Sequence, residues 1–518
     1  MVPPRGRRPD GRGAVRGPEA CPKLPVMPGI RSAIDNAPPA PDARDRRRQR
    51  RRQPRLPQLS VGTATNSLMT TSRAGPTGRR LHAIPTEPAF KFIDLFAGIG
   101  GFHEALRELG GQGVLASEID RRARDVYKDN HGLVPLGDVR DVGTHEVPEH
   151  EVLTAGFPCQ TFSKAGLQEG LKDQTRGTLF YDICRIAEYQ HPRFLILENV
   201  RNLATHDGGR TWNVIIGRLR QLGYRVADKP LILSPHLLPP AMGGSPQLRE
   251  RVFVLAEHSD WSSAATWDLH VPNEPIDGWN PKDWDLKEWL RKHPPLEEDL
   301  RPYDLTEREV EVISAWGELA AAMRQGKKER LPQPVKEYSW RARPLVTGLP
   351  EWKQAHNRAN AALWRENRVY LEDWRRRHRP KRWIKSHRKF EWQAAGAPRS
   401  ESDDIFDLLM QFRPSGLRVK TPNYTGALVA ITQTPILGWE RRRLTPSEAA
   451  SLQGLPRDFC LHTNDAVAYR QLGNGVHVGV VRYLAKALFE HAGFSASLTG
   501  SADASAVADV SVPKAVTA

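Results

Sequence analysis

"FKFIDLFAGIGGFHEALRELG", Phe90–Gly110, is the stretch whose reading decides the fold. It opens as an apolar run of strand length, passes Gly98, Gly100 and Gly101 within one turn, and resumes in "FHEALRELG" with helical spacing. A strand that runs through a glycine-rich turn into a helix lets the backbone approach a ligand closely and leaves unpaired N–H groups at the helix start. The spacing is G-x-G-G rather than G-x-G-x-x-G, which argues against a dinucleotide.

Moving outward, the same unit repeats. "GVLASEID", "EVLTAG" and "FLILENV" read as buried strands; "RRARDVYKDN" and "TLFYDICRIAEYQ" read as helices, the second with Leu179, Phe180, Ile183, Ile186 and Ala187 on one face. Alternation at this spacing predicts an α/β fold, an open and mostly parallel sheet with helices on both faces. Beyond "RERVFVLAEH" the rhythm is lost, and twelve of the fourteen tryptophans fall between Trp261 and Trp392 among charged residues. Apolar helical faces return in "LTPSEAASLQGL" and "VRYLAKALFEHAG", so the tryptophan-rich module is read as inserted into the first domain.

Both ends differ from this body. Residues 1–90 hold 18 Lys+Arg against 6 Asp+Glu, so most of the net charge of +16 lies in one tail. Rich in Arg, Pro, Gly and Ala and nearly free of aromatics, residues 1–88 cannot bury enough surface to offset their ordering entropy, and disorder is expected there and in the Ser/Ala-rich residues 495–518. The run "DARDRRRQRRRQPR" reads as a solvated tail, or as residues upstream of a start at Met27 or Met69, ahead of a non-specific DNA arm. The four cysteines, Cys21, Cys159, Cys184 and Cys460, are far apart with no C-x-x-C pair, which indicates neither a disulfide framework nor a zinc site and fits a reducing compartment. No apolar run reaches the roughly 18 residues of a membrane span, and no signal-peptide segment is visible; a cytoplasmic protein without membrane association is expected.

The chemistry-bearing residues lie at strand ends. Glu118 closes the second strand, where doubly wound sheets place a carboxylate for ribose hydroxyls, and Asp138 follows in "LGDVRDV". Together with the glycine turn they favour a nucleoside-bearing cofactor. Cys159 follows Pro158 in "TAGFPCQTFSKAG", a tight loop off the "EVLTAG" strand that suits a nucleophile better than a structural thiol, and the site must raise its thiolate fraction. Glu198 ends "FLILENV" in the same crevice, where burial would raise its pKa and make it a proton donor. In "PQLRERVFVL", Gln247, Arg249 and Arg251 alternate, and two guanidiniums on one face suit a phosphate, a base carbonyl or a salt bridge to Glu198.

Seven segments, "DLFAGIGGF", "GFPCQTFSKAG", "TRGTLFYDI", "ENVRNL", "PQLRERVFV", "LTPSEAASLQGLP" and "YRQLGNGV", occur in the order seen in DNA (cytosine-5) methyltransferases of the prokaryotic modification type, which the chain resembles over about Phe90 to Leu255 and Arg443 to Phe489. The resemblance implies a Rossmann-like S-adenosylmethionine-dependent methyltransferase sheet, residues 89–257 and 440–494, carrying an inserted target-recognition domain, residues 258–439. It implies that Cys159 attacks C6 of cytosine, that Glu198 holds and protonates N3, and that Arg251, counted with Arg249 among the catalytic residues, binds the base carbonyl and Glu198. Phe96, Gly98, Gly100, Glu118, Asp138, Leu179 and Asn474 would line the S-adenosylmethionine site, with no metal. The target base would be flipped out of double-stranded DNA. The expected setting is a monomer paired with a cognate restriction endonuclease.

Two positions depart from the family pattern: Ile119 replaces an aromatic after the ribose-binding Glu, and Gly475 replaces a Ser after the final Gly-Asn. In the insert, "DWRRRHRPKRWIKSHRKFEW" mixes cations with Trp374, Trp383 and Trp392; the cations are expected to meet DNA, with Arg418 or Lys420 as further contacts, while each tryptophan is expected to pack the module's own core. A tRNA cytosine-5 methyltransferase, a silent DNA-binding regulator and a nicotinamide oxidoreductase are the competing readings. The long insert and the absence of a Cys-Phe-Thr tripeptide count against the first, retention of Cys159 and Glu198 against the second, and the glycine spacing against the third.

Overall fold

The computed structural model describes residues 88–158, 179–261, 267, 269–272, 274–324, 331, 333–394, 404–428 and 433–494. The expected tail disorder and Cys159 itself lie outside the described residues.

The central sheet is built from β1 (Phe90–Leu95), β2 (Gly111–Ser117), β3 (Val152–Gly156), β4 (Phe194–Val200), β5 (Tyr224–Val226), β6 (Leu231–Leu233) and β8 (Arg251–His258), with the two-residue β7 (Gln247–Leu248) outside it. Its order is β2-β1-β3-β4-β8-β5, with β6 also on β8. The first four strands pair in parallel, whereas β8 runs antiparallel to β4, β5 and β6. One reversed strand thus sits inside an otherwise parallel sheet, consistent with the mixed sheets common in large α/β domains.

Alternation along each strand divides the sheet into two apolar faces. Phe90, Phe92, Phe194, Ile196, Phe253 and Leu255 enter one cluster, together with α1 (Gly101–Arg107), part of α2 (Arg121–His131) and the C-terminal α11 (Val478–His491). The intervening Ile93, Leu95, Leu153, Leu195, Leu197, Val252 and Val254 enter the other, against α3 (Leu179–Gln190) and α4 (Arg210–Gln221). This is the two-sided burial that a continuous apolar strand encodes. Phe489 of α11 places its ring 5.1 Å from both Phe90 and Phe194, so the chain after the insert returns to the first strand.

The insert has its own six-stranded sheet, order β15-β14-β11-β12-β10-β9, from β9 (Val335–Lys336), β10 (Lys389–Trp392), β11 (Leu409–Arg413), β12 (Gly416–Lys420), β14 (Ile436–Leu437) and β15 (Arg442–Arg443). Helices α6 (Glu307–Arg324), α7 (Glu351–Glu366) and α8 (Arg368–His378) supply its core with Trp316, Trp364 and Trp374, joined by Trp340 and Trp383. The Trp316 ring stacks on Phe390 at 5.1 Å, and the indole N–H groups of Trp316 and Trp374 donate to the carbonyls of His387 and Ala315, each at 2.9 Å. These tryptophans are core residues. Packing changes later in the chain than composition: Val271, Ile276 and the α5 (Leu286–Lys292) residues Leu286 and Leu290 still belong to the first cluster, and the insert's own core begins near Leu305. At the far end β15 carries the insert's sheet past 439.

Candidate active site

Glu198 sits two residues from the end of β4, on the sheet face that also carries Ile196 and Phe253, and is paired across the sheet with Gly156 and Phe253. A methyl group on Gly156 would stand 3.5 Å from Glu198 Oε2, so the chain leaving β3 toward Cys159 starts against this carboxylate. Arg251 opens β8 and places Nε 2.9 Å from Glu198 Oε1. Burial raises the Glu198 pKa, Arg251 and then Arg249 pull it back, and the net direction is upward. A carboxyl so held retains its proton closer to neutral pH and is suited to giving it to a bound ring nitrogen.

Asn199, the next residue, was not singled out from the sequence. It turns to the other side of β4, where its Nδ2 donates to the Phe157 carbonyl at 2.7 Å while its Oδ1 accepts from the Val200 N–H at 2.8 Å. Phe157 stands two residues before Cys159, so one amide fixes the entry to the nucleophile loop relative to Glu198. Its only sequence signal was adjacency to Glu198.

At the ends of β1 and β2 the glycine turn and Glu118 meet. Phe96, Gly98 and Gly100 all have positive φ (56°, 56° and 94°), and the Gly98 N–H donates to Glu118 Oε2 at 2.9 Å. Glu118 Oε1 accepts from the Asp120 N–H at 2.7 Å, which fixes the carboxylate and leaves lone pairs on both oxygens. Ile119, between them, is 69% exposed, an uncovered apolar side chain beside a carboxylate poised for hydroxyls. Gly100 is required for space as well as for φ, because a methyl group there would overlap His131 Nε2. The glycine turn and the fixed Glu118 carboxylate, with lone pairs to spare, fit a nucleoside-bearing group.

The remaining predicted cofactor residues are more dispersed. Asp138 lies on the segment that β2 holds through Ser117 Oγ to the Gly137 carbonyl at 2.8 Å, but its own carboxylate engages Arg140, which holds its pKa low. Leu179 begins α3 and packs on the second cluster. Asn474, the exposed last residue of α10 (Asp465–Asn474), is brought toward the glycine turn by Val476, whose Cγ2 would stand 2.8 Å from a methyl group on Gly101.

Arg249 is placed differently from Arg251. Only 1% exposed, it donates to the carbonyls of Leu428 (3.1 Å), Gly473 (2.9 Å) and Gly475 (2.6 Å). Its guanidinium therefore joins the insert's exit to the two glycines that flank Asn474. Desolvation at this position pushes its pKa down to about 9. Gln247 and Ser245 extend the junction, both donating to the Leu452 carbonyl, at 3.0 and 2.8 Å.

In the insert most candidate DNA-contacting arginines are already paired. Arg418 holds Glu391 at 2.9 Å, Arg375 and Arg388 hold Glu337, and Arg377 holds Glu318 and Asp373. Among the described residues, no group of His, Cys, Asp and Glu is placed to hold a metal, and no helix is long and apolar enough to cross a membrane. Cys184 is buried in α3, where desolvation pushes its thiol up to about 12.

The family model for C-5 cytosine-specific DNA methylase matches residues 90–490. The chain is 38% identical over 486 residues to the Type II methyltransferase M.AluI of Cellulosimicrobium cellulans, covering 76% of this chain and 91% of that protein. It is 28% identical over 395 residues to M.HhaI of Haemophilus parahaemolyticus, covering 76% and 93%. Among solved structures, the Dnmt2 methyltransferase of S. pombe aligns with a TM-score of 0.40 at 17% identity, over 78% of this chain and 99% of that one.

Proposed function

Because this chain belongs to the C-5 cytosine-specific DNA methylase family, we propose that it transfers a methyl group to C5 of one cytosine within a short sequence of double-stranded DNA, as the modification partner of a Type II restriction endonuclease. The observation that carries the chemistry is the buried Glu198, ion-paired to Arg251 at 2.9 Å and lying against Gly156, three residues before Cys159.

Cytosine C5 is a weak carbon nucleophile. The Cys159 thiolate forms a bond to C6 while Glu198 delivers a proton to N3, so that the electron pair released into the ring makes C5 an enamine carbon. Arg251 holds the Glu198 carboxyl in place and offers its remaining N–H groups to the base carbonyl. S-adenosylmethionine, which Glu118 and the glycine turn would hold, would supply the electrophilic methyl to C5 and leave as S-adenosylhomocysteine. C5 then gives its proton to solvent water, the C5–H pair becomes the C5–C6 double bond as the C6–S bond breaks to free the thiolate, and N3 returns its proton to Glu198. Asn199 holds Phe157, the entry to the nucleophile loop, beside Glu198.

C6 is inaccessible within a stacked duplex, so the base is flipped, at a cost of a few kcal/mol that contacts from the insert offset. A monomer suffices, since one base requires one site, and the cytoplasm is the compartment of its DNA.

The test is expression in a host lacking cytosine methylation, beside Cys159→Ala, followed by sequencing after chemical conversion of unmodified cytosine. Protection of one short motif, absent with the variant, is the expected result. A folded enzyme that leaves every cytosine convertible but methylates tRNA would overturn the DNA assignment.

A further inference from the structure

Lys420 ends β12 at the seam where the insert meets the catalytic sheet, and its setting differs from that of the other cations nearby. Its ammonium lies 4.2 Å from the centroid of the Tyr424 ring. That ring lies 5.0 Å from His236, and His236 follows Pro235, which lines the same small cleft as Glu198 and Arg251. The connecting loop is rigidly held on the catalytic side. The Asn423 side chain donates to the Lys282 carbonyl at 2.7 Å, the Leu286 N–H donates to the Pro422 carbonyl at 2.9 Å, and Thr425 of β13 (Thr425–Gly426) pairs with Gln247 of β7. Lys420 is thus fixed relative to Glu198.

Pairing separates Lys420 from the insert's arginines. Arg418, two residues earlier on β12, is neutralised by Glu391, and Arg375 and Arg388 by Glu337. Lys420 makes no ion pair among the described residues, although it is largely desolvated; burial and the charge of Arg418 push its pKa down to about 8. The titratable and charged groups around it are Arg418, Tyr424 and His236, with Glu250 acting on His236 from the rim. A partly desolvated cation with only a ring face for company is stabilised when an anion arrives. Lysine presents a compact point charge and lacks arginine's fork, so that anion is better matched by a phosphodiester than by a base edge.

We propose that Lys420, oriented by Tyr424 and His236, binds one specific backbone phosphate of the DNA strand beside the flipped cytosine and thereby sets the register of the insert on its target. This rests on the DNA-methylating function proposed above.

The experiment uses the full chain and a duplex carrying the mapped target site, together with duplexes in which a single linkage near the target cytosine is a neutral methylphosphonate. Wild type is expected to lose about tenfold in affinity at one linkage, equivalent to one phosphate contact. Lys420→Gln should lose a similar factor on unmodified DNA, lose nothing further at that linkage, and show a salt slope reduced by about one. Affinity of the wild type should fall as pH rises through about 8, the pKa of the free site, because only the protonated ammonium binds; Lys420→Arg should bind at pH 7 and lose that pH dependence. Losses that add at every linkage, an unchanged salt slope, or a change of sequence preference without a change of slope would each overturn the proposal. If Lys420→Gln fails to fold, the pH profile of wild type against Lys420→Arg decides alone. Wild type that binds no duplex would sink the parent function, whereas wild type that binds with Lys420 silent would sink only this inference.

Discussion

Replacing Arg249 by Met separates a positioning role from a catalytic one. In the wild type one guanidinium, 1% exposed, satisfies the carbonyls of Leu428, Gly473 and Gly475. Met fills much of the same volume but donates nothing, and each buried carbonyl left without its donor costs about 1–3 kcal/mol. Removing a desolvated charge returns part of that, so a net loss of about 3–5 kcal/mol is expected, as for other broken buried polar networks. Lys, with three donors on one atom, should recover about half of it. Gly473 and Gly475 flank Asn474, so affinity for S-adenosylhomocysteine, measured by calorimetry, should fall by about tenfold or more even at temperatures where the variant is folded, a loss of at least about 1.4 kcal/mol. Stability is read from the urea midpoint. If Arg249→Met keeps wild-type stability and ligand affinity but loses turnover, Arg249 acts on the substrate and the reasoning from its three carbonyl contacts is wrong.

Three further outcomes follow from single sites. Gly100→Ala combines φ of 94° with overlap of His131 Nε2, and should destabilise the glycine turn by about 1–3 kcal/mol; the added change His131→Ala should relieve only the overlap, so full rescue in thermal melting would show that φ is immaterial there. Asp94 is buried in β1 with Oδ2 lacking a hydrogen-bond partner among the described residues, and desolvation holds its pKa well above the carboxylate range. Ionisation of this buried carboxyl is penalised, so relative stability is complete below the unfolded pKa of about 3.9 and falls as pH rises above it toward the raised native value, and Asp94→Asn should gain on wild type as pH rises; a constant difference in urea midpoint would refute the assignment. Trp374→Ala, fully buried, should cost about 3–5 kcal/mol in thermal unfolding of the insert, while Trp352→Ala, 59% exposed, should stay within about 0.5 kcal/mol; equal losses would contradict the assigned core.

Glu198 and Arg251 were legible because chemistry and period agree: a carboxylate closes an apolar strand, an arginine opens another, and sheet pairing brings them together. The glycine turn was legible for the same local reason, since three glycines between a strand and a helix permit few other backbones. Strand direction was not legible, because "RVFVLAEH" is equally apolar whether it runs with β4 or against it, and only the antiparallel pairing of Glu198 with Phe253 decides. Composition and packing also change at different points: tryptophans crowd both Trp279–Trp289 and Trp316–Trp383, yet the Trp284 indole donates to the His236 carbonyl on the catalytic side while Trp316 and Trp374 close the insert's core.

Arg249 shows most clearly where local reasoning stops. Spacing of two matches it with Arg251 on paper, but β7 ends at Leu248 and β8 starts at Arg251, so Arg249 occupies the break between strands. Its role is set by the carbonyls of Gly473 and Gly475, more than 220 residues downstream, and of Leu428 at the insert's exit. A charge read from spacing alone is therefore assigned to the nearest plausible chemistry, whereas its actual partners are decided by whichever distant main-chain acceptors the fold leaves unsatisfied. Lys420 is the complementary case. Among the described residues the fold supplies carboxylates to arginines of the insert such as Arg418 and Arg388 and an aromatic face to Lys420, and that difference in pairing, invisible in a run of basic residues, is what singles out Lys420 for the proposed phosphate contact.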